Sequence, residues 1–179
     1  MSRNLANPPS LPGPRPGREE AVAVVAFGAN LGDREDTIRA AAERIARLPL
    51  VRDVRLSSLF ETVALRLDGP DPEAPGYVNA VALVTTRLAP SILLGMLHAI
   101  EDEHGRERHE RWGDRTLDLD LIAYGDESAD GDGLQLPHPR AFERLFVLEP
   151  WLELDSDAVL PGRGRVAELV AGLRRGERS

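Results

Sequence analysis

Two aspartates in the second half of the chain, Asp118 and Asp120, have the spacing of a metal site. Residues 116–124 alternate between polar and apolar types and then run apolar, which predicts a largely buried strand. Residues two apart on a strand share a face and lie about 6.5 Å apart, so both carboxylates project the same way. Two carboxylates on one partly buried face repel each other and lose hydration unless a cation joins them. Magnesium, which binds one or two carboxylates together with phosphate oxygens, is the cation that this pattern favours.

Cationic and aromatic residues precede this strand. Residues 104–115 contain four arginines, two histidines and a tryptophan: Arg106, Arg108, Arg111, Arg115, His104, His109 and Trp112. Guanidinium groups bind phosphate oxygens, and an indole ring offers a stacking surface. Taken singly, an Asp-x-Asp pair is more often a solvated strand edge, and mixed charge is more often an exposed helix end. Their adjacency favours a site for phosphoryl transfer.

The composition excludes several classes of protein. The chain has 179 residues, 42% hydrophobic and 29% charged, which is typical of one soluble globular domain. Its net charge of −8 argues against a general nucleic-acid binder. All 22 basic residues are arginine, so the lysines of phosphate-loop and protein kinases are absent. The sequence also lacks cysteine, a membrane-length apolar run and a secretory signal, and we expect a cytoplasmic protein.

Hydrophobic periodicity predicts the elements that position these residues. Residues 1–19 are rich in proline and are expected to form a disordered tail, followed by a single domain over 20–179. Strands are predicted at 21–27, 51–65 (one strand or a bent pair), 77–88 and 116–124. Helices are predicted at 33–48, with Asp33 as N-cap, at 90–104, and as shorter segments within 141–153 and 164–175.

The order of these elements predicts an α+β, ferredoxin-like fold (βαββαβ) with a C-terminal helical extension. In this plan an antiparallel sheet carries helices on one face. The helix over 90–104 is expected to turn five apolar residues inward: Ile92, Leu93, Met96, Leu97 and Ile100. Polar segments at 67–76 and 126–135 are predicted loops.

Several motifs occur together in the order and spacing of one enzyme family. They lie at 27–33, 77–80, 111–120 and 137–139, and at Arg144 with 146–148. The chain resembles hydroxymethyl-dihydropterin pyrophosphokinases of folate biosynthesis over roughly residues 21–172. The stretch 111–120 is highly specific for this family. The resemblance implies transfer of pyrophosphate from ATP to the hydroxymethyl group of the pterin, with release of AMP.

The resemblance also implies roles for individual residues. Asp118 and Asp120 would hold two Mg²⁺ ions, and Arg106 and Arg115 would donate to the transferred group. The implied ATP contacts are Glu101, Arg108, Trp112, Arg115, Leu121, Gln135, His138 and Arg144, of which Arg108 and Trp112 resemble parts of a mobile loop. The pterin would stack between two aromatic rings, and its implied contacts are Tyr77, Phe146, Thr62, Leu65, Asn79 and Asp118. Without the resemblance, plain core packing is the simpler interpretation of the two rings.

Two other functions share part of this pattern. A two-metal nucleotidyl transferase or cyclase-like enzyme also pairs acids on a ferredoxin-like sheet, but it places them on separate strands and does not use Tyr77, Asn79 and Phe146. A non-enzymatic nucleotide-sensing module would need no metal. For partners, we expect small-molecule substrates, ATP and the pterin, bound to a monomer, with no nucleic acid and no membrane.

Overall fold

An antiparallel sheet forms the centre of the computed structural model, which describes residues 19–62, 64–66, 69–71, 76–104, 116–131 and 133–176. In chain order the elements are β1 (Ala21–Ala29), α1 (Arg34–Ala46), β2 (Val51–Leu56), β3 (Phe60–Thr62), β4 (Ala64–Arg66), β5 (Gly69–Asp71), β6 (Tyr77–Thr86), α2 (Pro90–Glu103), β7 (Asp118–Tyr124), β8 (Ala129–Gly131), β9 (Leu134–Leu136), a 3₁₀ turn (Ala141–Glu143), α3 (Leu145–Leu154), β10 (Val159–Leu160), β11 (Gly164–Arg165) and α4 (Val166–Arg174).

The strand order of the main sheet is β2–β6–β1–β7, and each neighbouring pair is antiparallel. β1 and β2 are therefore parallel with β6 between them, and β6 and β7 are parallel with β1 between them. Helix α1 connects the first pair and α2 connects the second. This arrangement is the split βαβ plan of the ferredoxin-like fold, so the predicted fold class is confirmed. Asp33 caps α1 as expected, since its Oδ1 accepts a hydrogen bond from the backbone N–H of Asp36 at 3.3 Å.

The segment predicted as one strand or a bent pair over 51–65 is bent. Its parts β2 and β3 both pair with β6, and residues 57–59 lie between them, whereas its last two residues belong to β4, which pairs with β5. At the interruption the Ser57 hydroxyl accepts the Val81 N–H at 3.0 Å, while the Ser57 N–H donates to the Val81 carbonyl at 2.9 Å. A side-chain oxygen thus replaces a main-chain acceptor in the ladder, which lets the strand bend without leaving a buried N–H unpaired.

Helices pack on both faces of the sheet, whereas the βαββαβ plan predicted them on one face. On the first face, alternate β6 residues pack with α1 and α2: Val78, Ala80, Ala82 and Val84. On the second face, Val81 and Leu83 join a separate core with Val147, Leu148 and Trp151 of α3 and residues of α4. The continuous apolar runs of β1 and β6 are the physical reason, because strands that bury both faces do not alternate with polar residues.

Three local predictions differ from the structure. Ile92 was expected to face inward but is 52% exposed, because Leu93, Leu97 and Ile100 form the buried stripe of α2. The predicted loop at 67–76 contains β5, which pairs with β4 just before it, and the predicted loop at 126–135 contains β8 and most of β9. In the second hairpin Gly133 adopts a φ of 103°, a conformation that glycine adopts without steric cost.

The predicted tail at 1–19 lies outside the described residues, except for Glu19, and the single domain over 20–179 stays a prediction. Within the described ranges, no helix is long and apolar enough to cross a membrane.

Candidate active site

Two cavities meet at Asp120. The first, called the sheet cavity, has a volume of about 300 Å³ on the second face of the sheet and is lined by Ala26, Phe27, Gly28, Thr62, Tyr77, Asn79, Asp118, Asp120, Arg144, Phe146 and Val147. The second, called the hairpin cavity, measures about 360 Å³ beside β8 and β9 and is lined by Leu94, Asp120, Leu121, Gly131, Gly133, Leu134, Gln135, His138 and Pro139. A molecule in either cavity can therefore reach the same carboxylate.

The two acids project together because of the alternation of β7. Leu119 and Leu121 are buried in the first-face core, at 1% and 4% exposure, so Asp118 and Asp120 face the sheet cavity. The carboxylate of Glu101 accepts the backbone N–H of Leu119 at 2.7 Å, and Glu101 is itself 2% exposed. Glu101 thus ties α2 to β7 between the two acids, and it is not among the residues that line either cavity.

Asp120 has two cationic or potentially cationic neighbours. The Arg144 guanidinium donates to Asp120 Oδ2 at 3.1 Å, and His138 Nε2 lies 4.0 Å from the same oxygen. The backbone N–H of Arg140 donates to His138 Nδ1 at 3.2 Å, which leaves the proton of the neutral ring on Nε2, towards Asp120. Burial lowers the pKa of His138 from its ordinary value, and the nearby arginines lower it further, although Asp120 opposes them. His138 is therefore a neutral donor at neutral pH.

Three neighbouring strands place one residue each in a row across the floor of the sheet cavity. Gly28 of β1 pairs with Asn79 of β6 on one side and with Asp118 of β7 on the other. Asn79 is 6% exposed, and its Nδ2 donates to the Thr62 hydroxyl at 2.8 Å. This hydrogen bond fixes the side-chain amide of Asn79, whose Oδ1 lies towards Gly28.

Arg34 at the start of α1 supports the wall that Thr62 and Tyr77 provide. Its guanidinium donates to the carbonyl of Gly76 at 2.6 Å and to Glu61 at 3.2 Å. These contacts join the end of β3 to the residue that precedes β6.

The two aromatic rings of the sheet cavity come from opposite parts of the fold. Tyr77 begins β6, whereas Phe146 lies in the first turn of α3 and is 37% exposed. The Arg144 guanidinium lies 5.8 Å from the centroid of the Phe146 ring, within range of a cation–π interaction. Both residues line the cavity, as does Phe27, which is 2% exposed and belongs to the first-face core.

The donor set suits a metal ion that arrives with a phosphorylated ligand. Among the described residues, no group of three or more His, Asp or Glu side chains is placed to hold a metal by itself. Asp118 and Asp120 supply two carboxylates, and Mg²⁺ completes such a set with phosphate oxygens and water. The residues present therefore fit a magnesium–nucleotide complex.

Several residues implied by the resemblance are not placed. Arg106, Arg108, Trp112 and Arg115 lie outside the described residues, and of Leu65 only the backbone is described, opposite Pro70 in the β4–β5 hairpin.

Other residues that line the cavities had no role assigned from the sequence, including Gly28, Ala26, Val147 and Leu94. The first strand was predicted to end at Phe27, because Gly28 was interpreted as the start of a loop, whereas β1 continues to Ala29. A glycine inside an apolar strand often marks a place where a ligand approaches the backbone closely, and this signal could have indicated that Gly28 lines a cavity.

The fold and site together define a transferase class: a ferredoxin-like sheet whose paired acids lie between two small-molecule cavities. The family model of 7,8-dihydro-6-hydroxymethylpterin-pyrophosphokinase (HPPK) matches residues 24–156. The chain belongs to the HPPK family and is an enzyme.

Curated relatives agree with this family. The 2-amino-4-hydroxy-6-hydroxymethyldihydropteridine pyrophosphokinase of Haemophilus influenzae is 42% identical over 148 residues, which cover 83% of this chain and 90% of that protein. The Pseudomonas aeruginosa protein of the same name is 43% identical over 147 residues, 82% of this chain and 88% of that protein.

Solved structures show the same fold. An HPPK-DHPS in complex with substrates matches with a TM-score of 0.65 at 11% identity, over 88% of this chain and 44% of that chain. Plasmodium falciparum HPPK-DHPS with pterin and p-hydroxybenzoate matches with a TM-score of 0.63 at 13% identity, over 89% of this chain and 42% of that chain. The chain thus spans less than half the length of these structures.

Proposed function

We propose that this protein transfers pyrophosphate from ATP to the hydroxymethyl group of 6-hydroxymethyl-7,8-dihydropterin, releasing AMP, as a step of folate biosynthesis. The observation that carries the proposal is the position of Asp120 in both cavities. An enzyme that transfers a phosphate-containing group from a nucleotide to an acceptor needs its charged groups at the boundary between the two binding sites. The family assignment supplies the identity of the two substrates.

The sheet cavity is the proposed pterin site. Tyr77 and Phe146 both line it, and two aromatic rings suit a flat bicyclic ligand, for which offset stacking adds about 0.5–1.5 kcal/mol beyond the burial of area. The amide of Asn79, held by Thr62, provides a hydrogen-bonding group for the edge of the ring. Leu65 and Asp118 are proposed as further contacts on the basis of the resemblance.

The hairpin cavity is the proposed ATP site. Leu121, Gln135 and His138 line it, and the neutral His138 ring offers an Nε2–H donor. Arg144 lies at the boundary of the two sites and suits a phosphate oxygen. Arg108, Trp112 and Arg115 are proposed to complete the site. For Glu101 we propose support of β7 in addition to the implied role in the ATP site, since its carboxylate binds the Leu119 N–H.

Asp118 and Asp120 are the proposed ligands of two Mg²⁺ ions that bind with the nucleotide. When bound, the ions would supply charge neutralisation at the phosphate oxygens. Side chains of the protein bind the pterin: Tyr77, Phe146 and Asn79. Arg144, with Arg106 and Arg115 by proposal, stabilises negative charge on the transferred group. The hydroxymethyl O–H bond breaks as its oxygen bonds to the β-phosphorus. The bond from that phosphorus to the α,β-bridging oxygen breaks, so AMP and one proton are released.

The alternative functions lack such support. Both acids lie on β7, whereas a nucleotidyl transferase or cyclase of this fold is expected to carry them on separate strands. A sensor module would have no need for a donor set that fits magnesium, and the family assignment is to enzymes. Binding of small molecules by a monomer remains a prediction.

A pair of acceptors tests the proposal. Purified protein, ATP and Mg²⁺ are combined with 6-hydroxymethyl-7,8-dihydropterin or with 6-methyl-7,8-dihydropterin, which has the same ring and no hydroxyl group. We expect AMP to form only with the hydroxymethyl compound, and the methyl compound to inhibit that reaction competitively with respect to it. Equal AMP formation with both compounds, or with neither, would contradict the proposed reaction.

A further inference from the structure

Gly28 lies inside β1 at a position where the backbone does not require glycine. Its φ is outside the left-handed region that favours glycine, and regular ladder pairing continues on both sides of it. Glycine weakens a strand interior, because it loses more conformational freedom on folding and contributes no side chain to packing. Local conformation therefore does not explain this glycine.

Steric crowding does not explain Gly28 either. A Cβ built at this position would lie 3.7 Å from Asn79 Oδ1 and 3.9 Å from Asp118 Cβ, which are ordinary van der Waals distances. Gly76, close to the same cavity, behaves differently. There a Cβ would lie 2.9 Å from the Thr62 backbone oxygen, a clash that only a backbone shift relieves. The fold needs glycine at position 76 and accepts a methyl group at position 28.

The location of Gly28 indicates that a ligand of the sheet cavity occupies the space above its backbone. In the sheet cavity Gly28 lies directly between Asn79 and Asp118 in the row across three strands. Residues opposite each other in antiparallel strands have Cβ positions about 4.5–5.5 Å apart, so the row is about as long as a bicyclic ring. A flat molecule that contacts the amide of Asn79 and extends to the acids must therefore pass over Gly28.

We propose that Gly28 is an acceptor-binding residue: its missing side chain leaves the floor against which the edge of the planar acceptor rests between Asn79 and the metal-binding acids. A methyl group on this floor would push the ring outward between Tyr77 and Phe146, and would displace the hydroxymethyl group from the β-phosphorus. The hairpin cavity does not include Gly28, so nucleotide binding is separate from this floor. The inference rests on the proposed function, because it concerns the acceptor of that reaction.

The test compares Gly28→Ala and Gly28→Val with Gly95→Ala. Gly95 lies on the exposed side of α2 and has no atom within 4 Å of an added Cβ, so it provides the same chemical change away from both cavities. Calorimetry measures pterin binding in the presence of Mg²⁺ and a non-hydrolysable ATP analogue, binding of that analogue alone with Mg²⁺, and the melting temperature. Steady-state kinetics gives KM and kcat for the pterin.

We expect Gly28→Ala to weaken pterin binding tenfold or more and Gly28→Val a hundredfold or more. Binding of the ATP analogue should stay within twofold, and Tm should not fall. Gly95→Ala should match the wild type in every binding measurement. Wild-type pterin affinity in Gly28→Ala would overturn the inference, and so would a fall in Tm with parallel loss of pterin and analogue binding, since the glycine would then serve the fold. Failure of the wild type itself to bind pterin would instead contradict the proposed function.

Discussion

The two faces of the sheet are built from the same strands, but the first face forms a closed core and the second face carries the sheet cavity. On the first face, α1 and α2 cover the sheet along its length, and the β6 residues Val78, Ala80, Ala82 and Val84 are at most 1% exposed. On the second face, α3 and α4 cover the part near Val81 and Leu83, and the part near Ala26, Gly28 and Asp118 is open as the sheet cavity. Stability comes mainly from a closed face, and a site requires a face that the helices leave partly uncovered.

The side chains of β1 show how the open part arises. Towards the first face the strand presents Ala23, Val25 and Phe27, which are all buried in the core. Towards the second face the residues become smaller along the strand, from Val24 through Ala26 to Gly28, and the last two line the sheet cavity. Because successive side chains alternate between faces, one strand fills the core on one side and leaves room on the other.

The largest expected effect comes from a change on the open face. Asp120→Asn removes a charge shared by both cavities, and the neutral amide is a poor magnesium ligand. We expect kcat to fall by about 10³-fold or more, equivalent to about 4 kcal/mol at 1.36 kcal/mol per factor of ten, while the melting temperature changes little. Asp126→Asn, an exposed change in the turn after β7, is the matched control. A rate within tenfold of the wild type would remove Asp120 from the metal site.

The opposite result is expected on the closed face. Leu97 is fully buried between α2 and the sheet, so Leu97→Ala should lower the free energy of unfolding by about 2–5 kcal/mol in urea titrations. The rate per folded molecule should remain within twofold, because Leu97 lines neither cavity. Ile92→Ala on the same helix, at a residue that is 52% exposed, should cost much less. Equal destabilisation by the two variants would contradict the assignment of the buried stripe.

A moderate effect is expected for one wall of the sheet cavity. Phe146→Leu removes an aromatic surface worth about 0.5–1.5 kcal/mol in stacking, so the KM for the pterin should rise roughly 3- to 10-fold. Phe142→Leu is the control, since Phe142 contacts the Arg163 guanidinium, 3.8 Å from its ring centroid, and lines neither cavity. An unchanged KM in Phe146→Leu would mean that the ring does not contact the acceptor.

The smallest effect concerns an ion pair at the surface of the closed face. Arg44 on α1 donates to both carboxylate oxygens of Glu103 on α2, at 2.7 and 3.0 Å. The side-chain hydrogen bond from Arg44 lowers the pKa of Glu103 below its ordinary value of 4.5. The stabilisation is therefore present above that ordinary value and is lost as the pH falls through the lowered pKa of the folded state.

Glu103→Gln should consequently reduce the urea midpoint slightly at pH 7. At a pH below the lowered pKa of Glu103 in the folded state, it should not reduce the midpoint at all. Added salt should shrink the difference at pH 7, because both groups are exposed. A difference between wild type and variant that persisted unchanged in acid would show that the pair acts by packing and not by charge.

The order of elements could be predicted because the periodicity of each segment is local. Apolar alternation and the Asp33 cap predicted α1 and the strands of the main sheet to within a few residues, and the spacing of Asp118 and Asp120 predicted their common face. Coverage of the second face could not be predicted in the same way. The docking of α3 on β6 depends on contacts far apart in sequence, such as those of Trp151 with Val81 and Leu83 in one core.

The site could be predicted in part for the same reason. Tyr77 and Asn79 lie two apart on one strand, so their common cavity follows from the alternation. Phe146 reaches that cavity from a different element, and only the family resemblance placed it there. Gly28 carries no chemical group at all, so its contribution becomes visible only when Asn79 and Asp118 are seen on either side of it.

The nature of the products tests the central claim most directly. The protein is incubated with ATP, Mg²⁺ and 6-hydroxymethyl-7,8-dihydropterin, and all phosphorus-containing products are quantified by ³¹P NMR and mass spectrometry. If the open face positions the hydroxymethyl group at the β-phosphorus, AMP and the pterin diphosphate should form in equal amounts and only in the presence of the pterin. Formation of ADP with a pterin monophosphate would mean attack at the γ-phosphorus, and release of free pyrophosphate would mean attack at the α-phosphorus; either result would contradict the account.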